Sequence, residues 1–521
     1  MVAAAELTYN TGANATQMAQ EIFGDGVTVV SATYYGDNDS SAIYSNGDSL
    51  APGATPGDTG VILSTGDADD FTNSTGSSNQ SNSTSTNTSG VNNNSQFNSA
   101  AGTRTYDASY LDVTFIPDSD VMTMQFVFSS DEYPEYTNSV YQDFVGVWVN
   151  GTFVDLAIGN GDADPGNINS SDNQNLYLDN TSDAYNTEMD GLTVTMTLTM
   201  NVNAGDQNTI RIGIADVSDS SYDSNLLIAG DSVQTKVVAL EDSTTVYPSG
   251  SKVLDVMAND VSASTLTITH INGQAVTVGS SVLLNTGQTV VLNADGTITI
   301  NGDGDTEDFN FTYTITDGTN EDTGFVNVSS VPCFVAGTLI RTPHGERLVE
   351  DLMPGDLVDT RDDGPQPIRW IGSRSVEAAD DMAPIVIREN TFGRHGQVMV
   401  SPQHRILVRD SLAELLFGEG EVLVAAKDLV NDHSVRRCPG GEVTYVHLMF
   451  DRHQLIFSDG LETESFLPGP QTTSVLEQPV VEEICKIFPE LDPLTGEGYS
   501  PAARLTLKRY EAQLLTTGVA A

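Results

Sequence analysis

The chain has 521 residues and a formal net charge of −51, which is length for roughly three or four domains of ordinary size. The charge is uneven: only four of the 21 Lys and Arg (Arg104, Arg211, Lys236, Lys252) precede Cys333, so the first 332 residues carry −39 and the rest −12. So acidic a front repels phosphate backbones and anionic lipid. It sets aside nucleic acid and membrane surfaces as partners and leaves two readings, a solvating surface or carboxylates that take divalent cations.

All three cysteines (Cys333, Cys438, Cys485) and six of the seven histidines lie at or after position 333. The front therefore has no thiol and only His270, too little for nucleophilic or acid–base catalysis, and reads as a binding or display module. An odd cysteine count leaves at least one free thiol. The first ten residues have neither a basic start nor an apolar core, so no secretory signal peptide is visible. No apolar run reaches the roughly 18 residues a bilayer span needs. A secreted or cell-surface chain of this kind would carry its export signal at the C-terminal end.

In chain order, a short helix is expected over 15–23, closed by Gly24. Residues 72–99 are almost wholly Ser, Thr, Asn and Gly and predict a long flexible loop. Over 122–128, Met122, Met124, Phe126 and Phe128 fall on one face and Thr123, Gln125 and Val127 on the other. Similar alternation over 192–202 and at Ile210, Ile212 and Ile214 predicts half-buried antiparallel strands. Asp131, Glu132 and Glu135 form an acidic group that suits either a cation or a solvated turn.

Four motifs carry a family resemblance: Gly24-Asp-Gly-Val-Thr-Val, Gly60-Val-Ile-Leu-Ser-Thr-Gly66, Phe128-Ser-Ser-Asp-Glu-Tyr-Pro-Glu-Tyr136 and Ala215-Asp-Val-Ser-Asp-Ser-Ser-Tyr-Asp-Ser224. Residues 1–235 resemble the bacterial choice-of-anchor domains of the L type. That resemblance implies surface or secreted placement and little chemistry. Residues 236–331 hold Val253-Leu-Asp-Val-Met-Ala-Asn-Asp260, Asn293-Ala-Asp-Gly296 and Phe311-Thr-Tyr-Thr-Ile-Thr-Asp-Gly318. They look like a cadherin-like repeat, which implies an immunoglobulin-like β-sandwich with calcium carboxylates matching Glu241, Asp260 and Asp317. The acidic run 301–308 lacks the glycine and distal glutamate of an EF-hand and reads as a turn.

Composition changes at Val331-Pro332-Cys333. The block opening Cys333-Phe-Val-Ala-Gly-Thr, the block Val398-Met-Val-Ser-Pro-Gln-His404 and the closing blocks over 443–465 stand in order. Residues 332–521, with a core at 333–466, resemble the Hedgehog/intein (Hint) domains at the ends of secreted alphaproteobacterial proteins. The whole chain is thus expected to be mainly β and multidomain: a β-sandwich, an immunoglobulin-like sandwich, then a horseshoe-like Hint domain with a short helical tail over 503–515.

The resemblance implies a self-cleavage with the protein's own N-terminal segment as substrate and no cofactor. Cys333 attacks the carbonyl of Pro332 and exchanges an amide for a thioester. His404 is the acid on the scissile nitrogen, and Ser401, standing where threonine is usual, orients the peptide. His453 matches a histidine of the next-to-last block. His447 falls where inteins commonly carry an aspartate, and Asp451 is near enough in sequence to assist either. His447 and His453 are expected on one strand face, which also suits a metal pair with Cys438 or His433. His344 and His395 read as surface turn residues, Cys438 and Cys485 as structural.

Splicing needs an asparagine at the downstream edge. The aligned pair is Glu464-Ser465, and no asparagine follows Asn431, so splicing is excluded and release of residues 1–332 remains. The extracellular acceptor of the thioester is not visible in the sequence. The fixed φ of Pro332 favours donation from the preceding carbonyl into the scissile carbon, which predicts slow or triggered cleavage. The alternative is a calcium-binding adhesion or matrix protein whose Hint domain is a silent cap.

Overall fold

The computed structural model describes residues 2–137, 139–159, 161–246, 251–303, 309–329, 333–378, 383–431 and 433–467, with 487–488, 499–500, 502–507, 512 and 515 of the tail. Pro332, Cys485 and most of the acidic run 301–308 lie outside them. Contacts group the chain into two units: residues 1–242, 253–299 and 309–327 in one, and 243–252, 300–308 and 328–521 in the other.

The first unit is built on two antiparallel sheets. One orders strands Thr8–Asn10, Ser41–Ser45, Thr59–Ser64, Ser224–Ala229, Val121–Ser130, Gly191–Thr193 and Tyr177–Asp179, with Met196–Asn201 also paired to Val121–Ser130. The other orders Val27–Tyr35, Thr105–Pro117, Asn208–Val217, Phe144–Val149 and Thr152–Phe153. Met122, Met124, Phe126 and Phe128 enter a core with Val113, Phe115, Val147, Ile212 and Ile214, as the alternation predicts. The other face is buried too, because Val127 joins Tyr44, Ile62, Leu192 and Leu227 in a second core. Gln125 and Thr123 there are 3% and 0% exposed. The half-buried expectation therefore fails for this strand.

The helix Ala15–Ile22 forms where expected. Asn14 caps it, accepting from the amides of Thr16 and Gln17, and Gln17 returns the bond to the Asn14 amide. Gly24 follows because a Cβ there would lie 2.1 Å from the Asp231 carbonyl oxygen.

The segment over 72–99 departs from its composition. It ends in a helix, Ser95–Ala101, capped by Asn94. The Thr84 amide donates to Asp131 (2.6 Å), the Thr86 amide to Asp223 (2.8 Å) and the Ser89 amide to Asp37 (2.8 Å). Carboxylates beside the strand ends, buried at Asp131 and Asp223 and partly exposed at Asp37, supply acceptors that the local sequence does not contain.

After it, strands Glu321–Ser329, Phe309–Thr316, Thr267–Ile271 and Gln274–Ala275 form a neighbouring series. Asp322 accepts from Thr197 Oγ1 (3.1 Å) and the Ala239 amide (2.8 Å), and Asn175 donates to the Asn310 carbonyl (2.9 Å). These bonds tie this region to the front within one unit.

In the second unit a six-stranded sheet orders Trp370–Glu377, Glu442–Met449, Phe334–Val335, Val398–Val400, Ile385–Ile387 and Val435–Arg437. A larger sheet runs Gly345–Leu348, Leu339–Thr342, Leu455–Ser458, Leu461–Glu464, Arg405–Arg409, Glu421–Ala425 and Leu505–Thr506. The last pair is parallel. Leu507, Ala512 and Leu515 of the tail are buried with Ile406, Val424 and Leu461. The tail thus packs on the domain, through the strand Leu505–Thr506 and then the helical residues Ala512 and Leu515.

Candidate functional site

Strand register builds the site. Phe334 pairs with Val400 on one side and Val446 on the other. In antiparallel pairing that brings Cys333, Ser401 and His447, each one residue along, to the same end of three adjacent strands. The Cys333 amide donates to Ser401 Oγ (2.7 Å), and the Ser401 amide returns a bond to the Cys333 carbonyl (2.9 Å). Cys333 Sγ lies 3.4 Å from His447 Nε2. Cys333, Ser401 and His447 are all 7% exposed or less. Trp370 and Phe466 wall the His447 ring at 6.3 Å and 5.1 Å.

Burial pushes the Cys333 thiol up, and the Ser401 bond offsets only part of that. A thiolate here therefore forms only as its proton passes to a neighbour, and His447 Nε2 is within reach.

His404 closes the turn that begins at Ser401, its amide donating to the Ser401 carbonyl (3.1 Å). Its ring packs on Phe334 at 4.4 Å. Neither ring nitrogen has a hydrogen-bond partner among the described residues. Burial lowers the ring to about 4, against the opposing pull of Glu464.

His453 is placed differently from the expectation. It is not on the strand of His447: Glu442–Met449 ends before it and Leu455–Ser458 begins after it. Both its nitrogens are used. Nδ1 accepts the Ala503 amide (2.9 Å), so the ring hydrogen sits on Nε2, which faces the Ser465 carbonyl (3.1 Å) and Glu464 (3.3 Å). His453 fastens the tail and the closing strand.

Asp451 lies outside this group; its carboxylate is 57% exposed and pairs with Arg369 at 3.1 Å. His395 is buried, not a surface turn residue, and its Nε2 accepts the Phe392 amide (3.1 Å). Cys438 is exposed, contrary to a structural role in the core.

Sequence reasoning assigns Glu464 no role beyond its place in the pair Glu464-Ser465. Its carboxylate is fully buried, accepting the Arg405 amide (2.9 Å) and approaching the Arg405 guanidinium (3.2 Å). Burial alone would raise it, but Arg405 and then His453 hold it down to about 2. A glutamate in a strand that otherwise closes the core was the available signal.

The calcium expectation finds its residues separately engaged. Asp260 accepts the Leu240 amide (2.8 Å) and the Tyr313 hydroxyl (3.0 Å), Asp317 accepts the amides of Thr319 and Asn320 (both 2.9 Å), and Glu241 bonds Asn327. Asp131 accepts from Thr84 and from the Asp190 amide (3.1 Å), Glu132 from the Asp143 amide (2.9 Å), and Glu135 is exposed. Among the described residues no group of three or more His, Cys, Asp or Glu is arranged to hold a metal ion, the His447 and His453 pair included.

Comparison with known proteins agrees with the two ends of the chain. Residues 332–470 match the family model of the Hint domain, and residues 7–234 that of the choice-of-anchor L domain. Among solved structures, the gp41-1 intein is 13% identical over 26% of this chain and 98% of its own, with a TM-score of 0.17. The MchDnaB-1 intein is 16% identical over 25% of this chain and 98% of its own, with a TM-score of 0.19. A search of curated proteins finds no match. The chain thus carries a region that matches the choice-of-anchor L domain over residues 7–234 and, after it, one that matches the Hint domain over residues 332–470.

Proposed function

We propose that the Hint domain cleaves the bond between Pro332 and Cys333 and so frees the acidic front. The observation that carries this reading is the contact of Cys333 Sγ with His447 Nε2 at 3.4 Å, beside the reciprocal pair of bonds between Cys333 and Ser401. As the Cys333 proton passes to His447, Sγ bonds to the Pro332 carbonyl carbon, whose bond to the Cys333 nitrogen breaks. His404 supplies the proton that nitrogen needs, a contribution typically worth ~10²–10⁴-fold. Ser401 holds the amide in line. Water or another nucleophile then takes the acyl group from sulfur. The choice-of-anchor L domain supports a surface or secreted setting for the released part, and among the described residues no helix is long and apolar enough to cross a membrane.

The test is intact mass of the full chain incubated with and without dithiothreitol or hydroxylamine, with Cys333→Ala as control. Two fragments divided between Pro332 and Cys333 in the wild type alone are expected. A chain intact under every condition would sink the reading.

A further inference from the structure

The acid role of His404 conflicts with its surroundings. Burial disfavours the imidazolium, yet the nitrogen released from Pro332 must receive a proton. The titratable and charged groups that act on it are Glu464 from Leu461–Glu464, His447 from Glu442–Met449, His453 from the connection before Leu455–Ser458, and Arg405, the next residue, which opens Arg405–Arg409. Only Glu464 favours the charged ring.

The placement of Glu464 is fixed from three sides. Its Oε1 accepts the amide of Arg405, the residue after His404, and its Oε2 faces the Arg405 guanidinium and His453 Nε2. Ile406 pairs with Thr463, so the register sets Glu464 against the start of the His404 strand. His453 cannot relay a proton to the reaction because both its nitrogens are occupied.

We propose that Glu464 is a positioning residue of the self-cleavage: its buried carboxylate locks His453 and the start of the His404 strand, and its fixed negative charge lets His404 carry the proton delivered to the Cys333 nitrogen. The role rests on the cleavage reading above. Proton balance holds: His447 gains the thiol proton, His404 loses one to the leaving nitrogen, and water reprotonates His404 before hydrolysis.

The experiment has two arms. In the full chain carrying Cys333→Ala, histidine NMR follows the titration of His404. Adding Glu464→Gln, nearly isosteric but uncharged, should lower its midpoint by about one unit or more. In the chain that keeps Cys333, Glu464→Gln should slow dithiothreitol-driven cleavage at pH 7 by about tenfold and move its rate profile to lower pH. Glu464→Asp should recover part of the rate. Should Glu464→Gln fail to fold, Arg405→Met carries the test with opposite sign, raising the midpoint. An unmoved midpoint overturns the proposal, as does a slower rate with an unshifted profile, which marks a merely structural role. A wild-type chain that never cleaves removes the reaction itself, whatever the titration shows, and so separates the failure of the cleavage reading from that of Glu464.

Discussion

The two ends of this chain bury carboxylates by opposite means. In the front, Asp131, Glu132, Asp143, Asp164, Asp216 and Asp223 are each 8% exposed or less. Their donors are amides and hydroxyls: Asp143 takes the Val217 amide (3.0 Å) and the Ser224 hydroxyl (2.8 Å), and Asp164 the Asn167 amide (2.7 Å), while Asp216 Oδ1 and Asp223 Oδ2 have no partner among the described residues. Among the described residues, the ion pairs of that region, Arg211 with Asp112 and Lys236 with Asp118, involve none of them. In the Hint domain Glu464 has Arg405, while Glu421 has Arg361, Arg409 and Arg504. The difference follows from where the 21 basic residues fall. It teaches that a strongly acidic sequence need not wear its acid on the surface. Neutral donors satisfy a carboxyl's hydrogen bonds without compensating its charge.

The pH response should therefore have opposite signs at the two ends, and this is the largest expected effect. Burial raises Glu132 to about 9, Asp131 and Asp164 to about 7 and Asp223 to about 6, and lifts Asp143 and Asp216 as well. A carboxyl raised on folding binds its proton more tightly when folded. Its stabilisation is full below the ordinary carboxylate range and is lost as pH rises through about 6 to 9. Glu464, held at about 2, contributes above the ordinary range and loses that contribution as pH falls toward 2. The two tryptophans separate the readouts, since Trp148 lies in the front and Trp370 in the Hint domain. In a Trp370→Phe chain the front's melting temperature should fall by on the order of 10 °C between pH 5 and pH 8.5. In a Trp148→Phe chain the Hint transition should weaken only in acid. A front that gains stability with rising pH would break the comparison.

Single substitutions sharpen it. Arg405→Ala leaves the Glu464 carboxylate buried with only the Arg405 amide and His453, and should cost the Hint domain about 2–3 kcal/mol. That is less than for a fully buried pair, because the Arg405 side chain is one-third exposed. In the front the sign reverses. Asp216→Asn removes one of several like charges beside Asp143, and Asp216 Oδ1 has no hydrogen-bond partner among the described residues. It should stabilise the front by about 1 kcal/mol at pH 8 and do little at pH 5. Chemical denaturation of the matching single-tryptophan chains reads both.

What the sequence made legible follows from the same contrast. The Hint blocks name Cys333, Ser401 and His404 because each ends or begins a strand whose register is set by apolar neighbours. Phe334, Val400 and Val446 could be read as strand residues, and their pairing delivers the cluster. His453 reads from the sequence as a strand neighbour of His447 because period-two counting runs through 443–458 without showing the break after Met449. The front's buried acids were illegible in principle. An aspartate beside glycine and serine reads as a turn, and its acceptor role appears only when a distant segment such as 84–89 brings amides to it. That same segment reads as a flexible loop because its own side chains offer no core.

The smallest expected effect lies on the Hint surface, where arginines and carboxylates form one network. Arg504 in the tail bonds Asp362 through both terminal nitrogens (3.1 and 3.0 Å) and Glu421 through Nε (3.0 Å), and Glu421 is shared with Arg361 and Arg409. Its members are partly exposed, so each pair is worth at most about 1 kcal/mol and is screened by salt. The tail is also held by the Ala503 amide on His453 and by Leu507 in the core, neither of which salt weakens. Arg504→Ala should therefore lower the Hint transition by about 0.5 kcal/mol in low salt and by almost nothing in 1 M salt. A loss that persists at high salt would mean that Arg504 orients the tail through its bidentate geometry and not through charge, which would bring the network closer to the buried Glu464 arrangement than to a solvated surface.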